Sequence, residues 1–435
     1  MNRLWLAASL LLSVAPAMAA TDPLQPPEVS RYLRWGPVRV RPSVQLSNIG
    51  YDTNVFYNTG DEPLVGDWTA TISPRADGLV LFGHRAFLTF REQIDGVVFA
   101  KYSEISYLDN RTSARLTVPF ARIGVFSDLT LNNIHERATS ELDARPERKE
   151  HRLALGIIVP MGWRTHFELS QTGANWAYED DQTQCATGGG CVPIDFLLDR
   201  NETGRDFKAS YLMGGRTKLT LDAATRDIEF DQQTVRDSHE YRVLPGIELG
   251  QGGGLQGRLR VGQAHVDSVD ERLADFRGLV GNLESVWSPA GRTRFMLNGR
   301  RDVNFAAWSG NQFHVNWQAE LRAVHWMTRS FGLEGAAITG RLRFSGDQVF
   351  CTAGPAGITC RVPDSPIEAA RRVDSVDQYE AGVRFRLAQN SLGRRIEYSL
   401  VARRFRRDSA PDPLDPSQSL DQSRSSIGFG AVLGY

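Results

Sequence analysis

Four cysteines and eight histidines are the residues of this 435-residue chain most readily recruited to chemistry, and their spacing decides what they can do. Cys185 with Cys191 and Cys351 with Cys360 form two local pairs, each inside a Gly-rich polar segment. They are read as loop disulfides of an exported protein, where short closed loops pin local shape more than they stabilise a whole fold. Zinc is the competing reading, but each pair lacks the close His or Cys partners of a four-ligand site. A hydrolase would need a nucleophile, a histidine base and an orienting group brought to one place. No Gly-x-Ser-x-Gly or His-x-Ser arrangement stands out among the histidines, and His166 and His314 sit on the polar faces of strand-like segments. The expectation is a protein without catalytic residues, metal or cofactor.

The other charged candidates are arginines, since the only lysines are Lys101, Lys149, Lys208 and Lys218. With 50 basic and 51 acidic residues the net charge is -1, which gives no bulk field for nucleic acid. Arg39, Arg41, Arg164, Arg258, Arg260, Arg292, Arg294, Arg322, Arg341, Arg343, Arg384, Arg386 and Arg403 fall on polar faces of alternating segments. In a membrane barrel they would point inward, because a charge on the lipid face near the midplane costs about 2–4 kcal/mol. Glu168, Glu248, Glu284, Glu320, Glu380 and Glu397 share that face, so one reading is a mutually neutralised, hydrated wall. The other is an arginine excess that guides an anionic solute or acidic polysaccharide.

The elements that must hold these residues are strands. From Gln312 to Ala323, Phe313, Val315, Trp317, Ala319, Leu321 and Ala323 alternate with Gln312, His314, Asn316, Gln318, Glu320 and Arg322, so a strand has one apolar and one polar face. Val38, Val40, Val44 and Leu46 repeat the pattern, as do Tyr379, Ala381, Val383, Phe385 and Leu387. About eighteen such segments (16 to 18) follow one another, and strands of ten or so residues suit a tilted membrane crossing. Short turns alternate with long polar loops, including 49–66, 133–149, 175–202 and 345–372, which is the topology of an outer-membrane barrel. The two longest, 175–202 and 345–372, are the candidates for folding into the pore. The phase slips from Phe87 to Phe99 around Glu92 and Ile94, which predicts a bulge there.

Residues 1–19 have the form of a signal peptide, with Arg3, an apolar run from Leu4 to Val14 and Ala17-Met18-Ala19 at the cleavage site. Residues 20–36 then form a short periplasmic segment and 37–435 the barrel, an all-β, antiparallel, up-and-down transmembrane fold. No second apolar run is long enough for a membrane helix. The end of the chain places Phe429, Leu433 and Tyr435 in phase on one face, and it resembles the terminal strand of bacterial outer-membrane barrels. That likeness implies insertion by the barrel-assembly machinery into the outer membrane of a Gram-negative bacterium, among its lipid and lipopolysaccharide.

At the start of the first long loop stand Tyr51, Asp52, Asn54, Val55 and Phe56. There Asp52 and Asn54 can close a turn through their side chains while the aromatics anchor the strand end at headgroup level. This run resembles the opening segment of the porin 2-like outer-membrane β-barrel family associated with exopolysaccharide gene clusters. The resemblance implies a conduit for exopolysaccharide leaving the cell, alongside polysaccharide-export components. Patterning alone gives only a channel, so a general or solute-specific diffusion porin is the alternative, and a surface barrel with an enzymatic or adhesive role is a third.

Overall fold

The computed structural model describes residues 23–27, 32–60, 62–83, 85–135, 145–179, 183–185, 191–250, 254–306, 311–345, 350–354, 357–361, 372–389, 395–409 and 421–434. The proposed signal peptide and Tyr435 lie outside them. Period-two alternation becomes one antiparallel sheet with eighteen barrel strands. In chain order these are β1 Val38–Asp52, β2 Asp67–Phe82, β3 Ala86–Phe99, β4 Tyr107–Pro119, β5 Gly124–His135 and β6 Glu147–Met161. Next come β7 Thr165–Glu179, β8 Arg200–Gly214, β9 Thr217–Phe230, β10 Ser238–Leu249, β11 Leu255–Ser268 and β12 Phe276–Ala290. The last six are β13 Thr293–Phe305, β14 Phe313–Trp326, β15 Phe331–Phe344, β16 Val373–Gln389, β17 Arg395–Ser409 and β18 Gln422–Gly434.

Each strand pairs with its neighbours in sequence, and β1 pairs with β18 from Ser43↔Gly434 to Asp52↔Ser426, which closes the wall. Closure satisfies the backbone groups that an open edge would expose to lipid. The seam is tight: a Cβ on Gly50 would stand 1.9 Å from the carbonyl oxygen of Ile427. A bulge between Leu46 and Ile49 shifts the register there. Asn48 takes a left-handed φ of 54° within it, and the phase of β1 flips. Ile49 and Tyr51 therefore continue the outer face begun by Val44 and Leu46, and Asn48 turns inward to accept from Arg403 Nη1 at 3.1 Å.

The outer face carries exposed apolar side chains, with Leu153, Leu155 and Ile157 on β6 and Leu219 and Leu221 on β9 among them. Tyr51, Trp68, Tyr241, Trp317 and Tyr379 lie toward the long-loop end of this face, and Trp163, Tyr211, Trp287 and Phe385 toward the short-turn end. Two aromatic girdles of this kind mark the membrane interfaces. Short turns face the periplasm and long loops the exterior. At the periplasmic end Leu24 packs against Gly124, where an added Cβ would be 2.2 Å from Leu24 Cδ2, and the short strand Leu33–Trp35 pairs with β1.

The bulge expected near Glu92 is absent: β2 and β3 keep one register from Thr69↔Phe99 to Phe82↔Ala86. The slipped pattern has another cause. Glu92 lies on the outer face with Leu88, Phe90 and Val98, while Arg91, Gln93, Val97 and Phe99 line a cavity inside. Thr112 Oγ1, its cross-strand neighbour, donates to Glu92 Oε2.

Candidate functional site

The Tyr51–Phe56 run does local structural work that brings a functional surface into being. Asp52 Oδ1 accepts from the Asn54 N–H at 3.0 Å, and Asn54 Oδ1 accepts from the Asn58 N–H at 2.9 Å, so both side chains close turns. Asn54 Nδ2 also donates to Ser423 O, and the Thr53 N–H to Ser425 O, which ties the first loop to the last strand. Val55 is buried against Val97 and Phe99. Tyr51 and Trp68 meet edge to face on the outer surface at 5.9 Å, as expected of an interface anchor. Phe56 does not serve as one: it packs inward, edge-on to Tyr102 at 4.9 Å, because the loop doubles back over the barrel mouth.

This folding delivers Tyr57 to the lumen with a φ of 61°, a conformation uncommon for a side-chain-bearing residue. Two guanidiniums approach its ring, Arg145 at 4.5 Å and Arg424 at 4.9 Å from the centroid. Arg424 also donates to the Tyr57 hydroxyl at 2.9 Å and, through Nε, to Asp52 at 2.6 Å. Arg145 donates to Val55 O at 2.9 Å and has no carboxylate partner among the described residues.

Below this stack the walls of β1 to β5 and β17 to β18 enclose a cavity of about 320 Å³. Six arginines line it: Arg75, Arg91, Arg111, Arg145, Arg403 and Arg424. Among the described residues Asp52 is the one carboxylate in the lining; the rest includes Gln45, Ser47, Thr71, Ser73, Ser113, Thr130, Asn132 and Ser426. The compensating acids sit outside that lining and pair with the guanidiniums from behind it. Asp77 takes Arg41 at 3.1 Å, Arg75 at 2.9 Å and Arg91 at 2.7 Å, Asp95 takes Arg111 at 2.5 Å, and Glu380 takes Arg403 at 3.3 Å. Three guanidiniums on one Asp77 leave net positive charge, and Arg91 keeps half its side chain exposed. Hydroxyls, amides and an excess of guanidiniums suit a hydrated anion with many oxygens.

The adjoining wall of β14 to β17, which shares Glu380 with the cavity's Arg403, is a neutral zipper. Arg322 meets Glu380 at 2.8 Å and Glu320 at 3.2 Å, and Arg384 meets Glu334 at 2.7 Å and Glu397 at 2.8 Å. Arg258 and Arg260 share Glu248, and Arg386 lies 4.0 Å over the Trp326 ring. Arg41 and Arg403 also face the lumen, and Arg294 is half-buried on the luminal face of β13. Arg39 stands at the periplasmic mouth, donating to Gly36 O at 2.7 Å.

Four expected pore-lining arginines lie elsewhere. Arg164 is in a periplasmic turn, stacked 4.2 Å over Trp163, and Arg292 is exposed in another. Arg341 and Arg343 are exposed on the outer face of β15, in phase with Leu333. There the alternation inverts toward the exterior, because Leu342 and Phe344 turn inward to pack with Ala306 and Val376. Of the thirteen arginines expected in the pore, only Arg403 lines the cavity. The other five lining arginines are Arg75, Arg91, Arg111, Arg145 and Arg424, and Arg145 lies at the end of a loop, where periodicity is silent.

Among the outer loops, the helix α1 Ile194–Leu198 follows a hairpin that places Cys191 directly across from Cys185. Cys351 likewise faces Cys360 across a second hairpin. All of Ile194, Phe196, Leu197 and Leu198 are buried. Arg236, itself buried, donates to Leu197 O at 3.0 Å, Ala306 O at 2.6 Å and Gln312 O at 3.1 Å. One side chain thus ties three outer loops together over the wall opposite the arginine cavity. Phe429 and Leu433 are exposed on the outer face of β18.

A closed eighteen-strand wall with two aromatic girdles, an apolar outer face and a charged lumen is an outer-membrane channel of the porin type. The chain belongs to the family described as "Putative beta-barrel porin 2", whose model matches residues 33–350. It is a protein of the Gram-negative outer membrane, of a family and fold that are channels rather than enzymes. Comparison with curated proteins gives no match. Among solved structures the fold is similar to the outer membrane protein OpdK of Pseudomonas aeruginosa, 12% identical, covering 91% of this chain and 99% of that one with a TM-score of 0.44. It is also similar to OccK2 (OpdF) of the same organism, at 10% identity, 91% and 98% coverage and a TM-score of 0.48. OccAB3 of Acinetobacter baumannii gives 7%, 91%, 99% and 0.47.

Proposed function

We propose that the barrel is a passive, anion-selective channel whose substrates are hydrophilic acidic saccharides. The observation that carries this reading is the luminal cavity, lined among the described residues by six arginines and one carboxylate and otherwise largely by hydroxyls and amides. Guanidiniums pair with carboxylate or sulfate groups, while the uncharged lining groups exchange hydrogen bonds with sugar hydroxyls. The finer form of the proposal is export of an acidic exopolysaccharide, as the Tyr51–Phe56 resemblance implies. A second reading, diffusion of small acidic solutes, is favoured by the three loops that Arg236 ties over one side of the mouth.

Single-channel recording in a planar bilayer tests both. A reversal potential indicating anion preference is expected, with block by an acidic polysaccharide added on the periplasmic side. Block by a monomeric uronate but not by the polymer would select the small-solute reading. Cation preference, or a barrel that inserts without conducting, would overturn the proposal.

A further inference from the structure

The outer face near the extracellular girdle carries arginines that no carboxylate of the described residues balances. Arg301 on β13 and Arg341 on β15 flank Trp317 of β14 as its two direct cross-strand neighbours. With adjacent strands about 4.8 Å apart, the two Cα atoms lie roughly 10 Å from each other. Arg343 follows on the same face of β15, and Arg404 pairs with Tyr379 farther along the wall. All four arginines are exposed. Arg301 donates to Leu279 O at 2.8 Å, and Arg341, Arg343 and Arg404 have no hydrogen-bonding or ionic partner among the described residues.

Several other charges on the same face are balanced within the protein. Lys149 pairs with Glu179 at 2.5 Å, His239 with Asp227 at 2.6 Å, and Arg406 with Asp408 at 2.6 Å. Arg277 is held by His265 at 2.5 Å, with Asp267 at 3.9 Å. A cluster of like charges beside an apolar girdle needs an anion from outside the chain. Arginine can lay its stem along the apolar surface and raise its head to the lipid headgroups.

We infer that Arg301, Arg341 and Arg343, set around Trp317, form a binding site for the phosphate groups of the outer leaflet's phosphorylated glycolipid. The planar guanidinium pairs bidentately with phosphate, and the indole covers the adjoining acyl and sugar surface. Each arginine near an anionic lipid surface contributes on the order of fivefold in affinity.

The test uses the purified full barrel in detergent, titrated with bisphosphorylated lipid A, with the same lipid A after phosphate removal, and with inorganic phosphate as competitor. Wild type is expected to bind the phosphorylated lipid much more tightly than the dephosphorylated one. The double variant Arg341→Gln, Arg343→Gln should lose roughly 25-fold in affinity for the phosphorylated lipid only. Arg341→Lys, Arg343→Lys should keep most of the binding, and Arg277→Gln, an outward arginine already partnered, should keep it all. Heat-modifiable migration confirms folding of each variant, and the wild-type comparison of the two lipids decides the matter even if the double variant does not assemble. Equal wild-type binding of the two lipids would overturn the site. Displacement by inorganic phosphate at lipid-equivalent concentration would make it a site for free phosphate. A change in oligomeric state with lipid binding unaltered would make it a protein contact instead.

Discussion

Asp52 is the residue on which the arginine cavity depends, because it does two jobs with one carboxylate. It caps the turn that folds the first loop inward, and it is the acid that faces Arg424 within the cavity. With only 3% of its side chain exposed, replacing it by Asn leaves the Arg424 charge without its partner. Breaking a buried pair from one side costs roughly 3–5 kcal/mol, whereas removing both charges is far cheaper. Asp52→Asn is therefore expected to unfold at clearly lower urea concentration than wild type, and Asp52→Asn with Arg424→Met to recover more than half the loss. Arg91 gives the complementary case, since half of its side chain stays exposed in the lumen although its Nε is paired with Asp77. Arg91→Glu should lower the anion-to-cation permeability ratio several-fold, read from the reversal potential. The outward Arg341→Glu should leave that ratio unchanged.

Strands were legible because a wall with lipid on one side and water on the other enforces period two along every crossing. The outcome at Glu92 shows where that legibility ends. A polar residue in the apolar phase reads as a register slip, yet here the register holds and the carboxylate stays on the lipid side beside Thr112. Relieving it by Glu92→Leu should stabilise the barrel by up to about 2 kcal/mol, measured by urea unfolding in lipid vesicles. An unchanged or lower stability would mean that the carboxylate is solvated or partnered there. Arg341 and Arg343 misled in the opposite sense, because alternation identifies two faces but not which is inner where both carry bulky groups. The cavity itself was nearly invisible in the sequence. Arg75 lies between Pro74 and Ala76 in a strand of small and hydroxyl-bearing residues, and Arg145 and Tyr57 enter only through loop folding. Loops also hold a pH response outside the wall. Burial, with Asp195 and Asp231 nearby, raises the Asp199 carboxyl at the end of α1 from its ordinary value of 3.8 to about 6, against the Tyr178 N–H bond that favours the anion. The folded loop thus holds a proton more tightly than the unfolded one, so this contribution is full below about 3.8 and is lost as pH rises through about 6. Amide protection across Ile194–Leu198, corrected for intrinsic exchange, should be higher at pH 5 than at pH 7.5. Asp199→Asn should remove the difference.

For the whole molecule, the distribution of charge rather than its sum determines function. A chain with net charge -1 contains a lumen that is basic on one side and neutralised on the other. Two mechanisms of selectivity are then separable by salt. A charged wall acting through solvent is screened, with a Debye length of about 10 Å at 0.1 M and about 3 Å at 1 M. If the arginines act only as such a field, anion preference should be strong at 0.1 M and approach unity at 1 M. If the cavity binds an anion directly, with Arg145 and Arg424 stacked on Tyr57 and amide or hydroxyl donors around them, contact distances are far below either Debye length. Conductance of an acidic sugar should then saturate with concentration, and selectivity among anions of equal charge should survive at 1 M. The geometry favours the second outcome for saccharide acids and the first for chloride. Wild type should therefore lose its preference for chloride over potassium in high salt while still being blocked by a uronate. Tyr57→Ala, which removes the ring that both guanidiniums contact, should abolish the uronate block at both salt concentrations and leave the chloride preference at 0.1 M in place. Loss of both effects together in that variant would show that Tyr57 supports the cavity's shape rather than the recognition of solute.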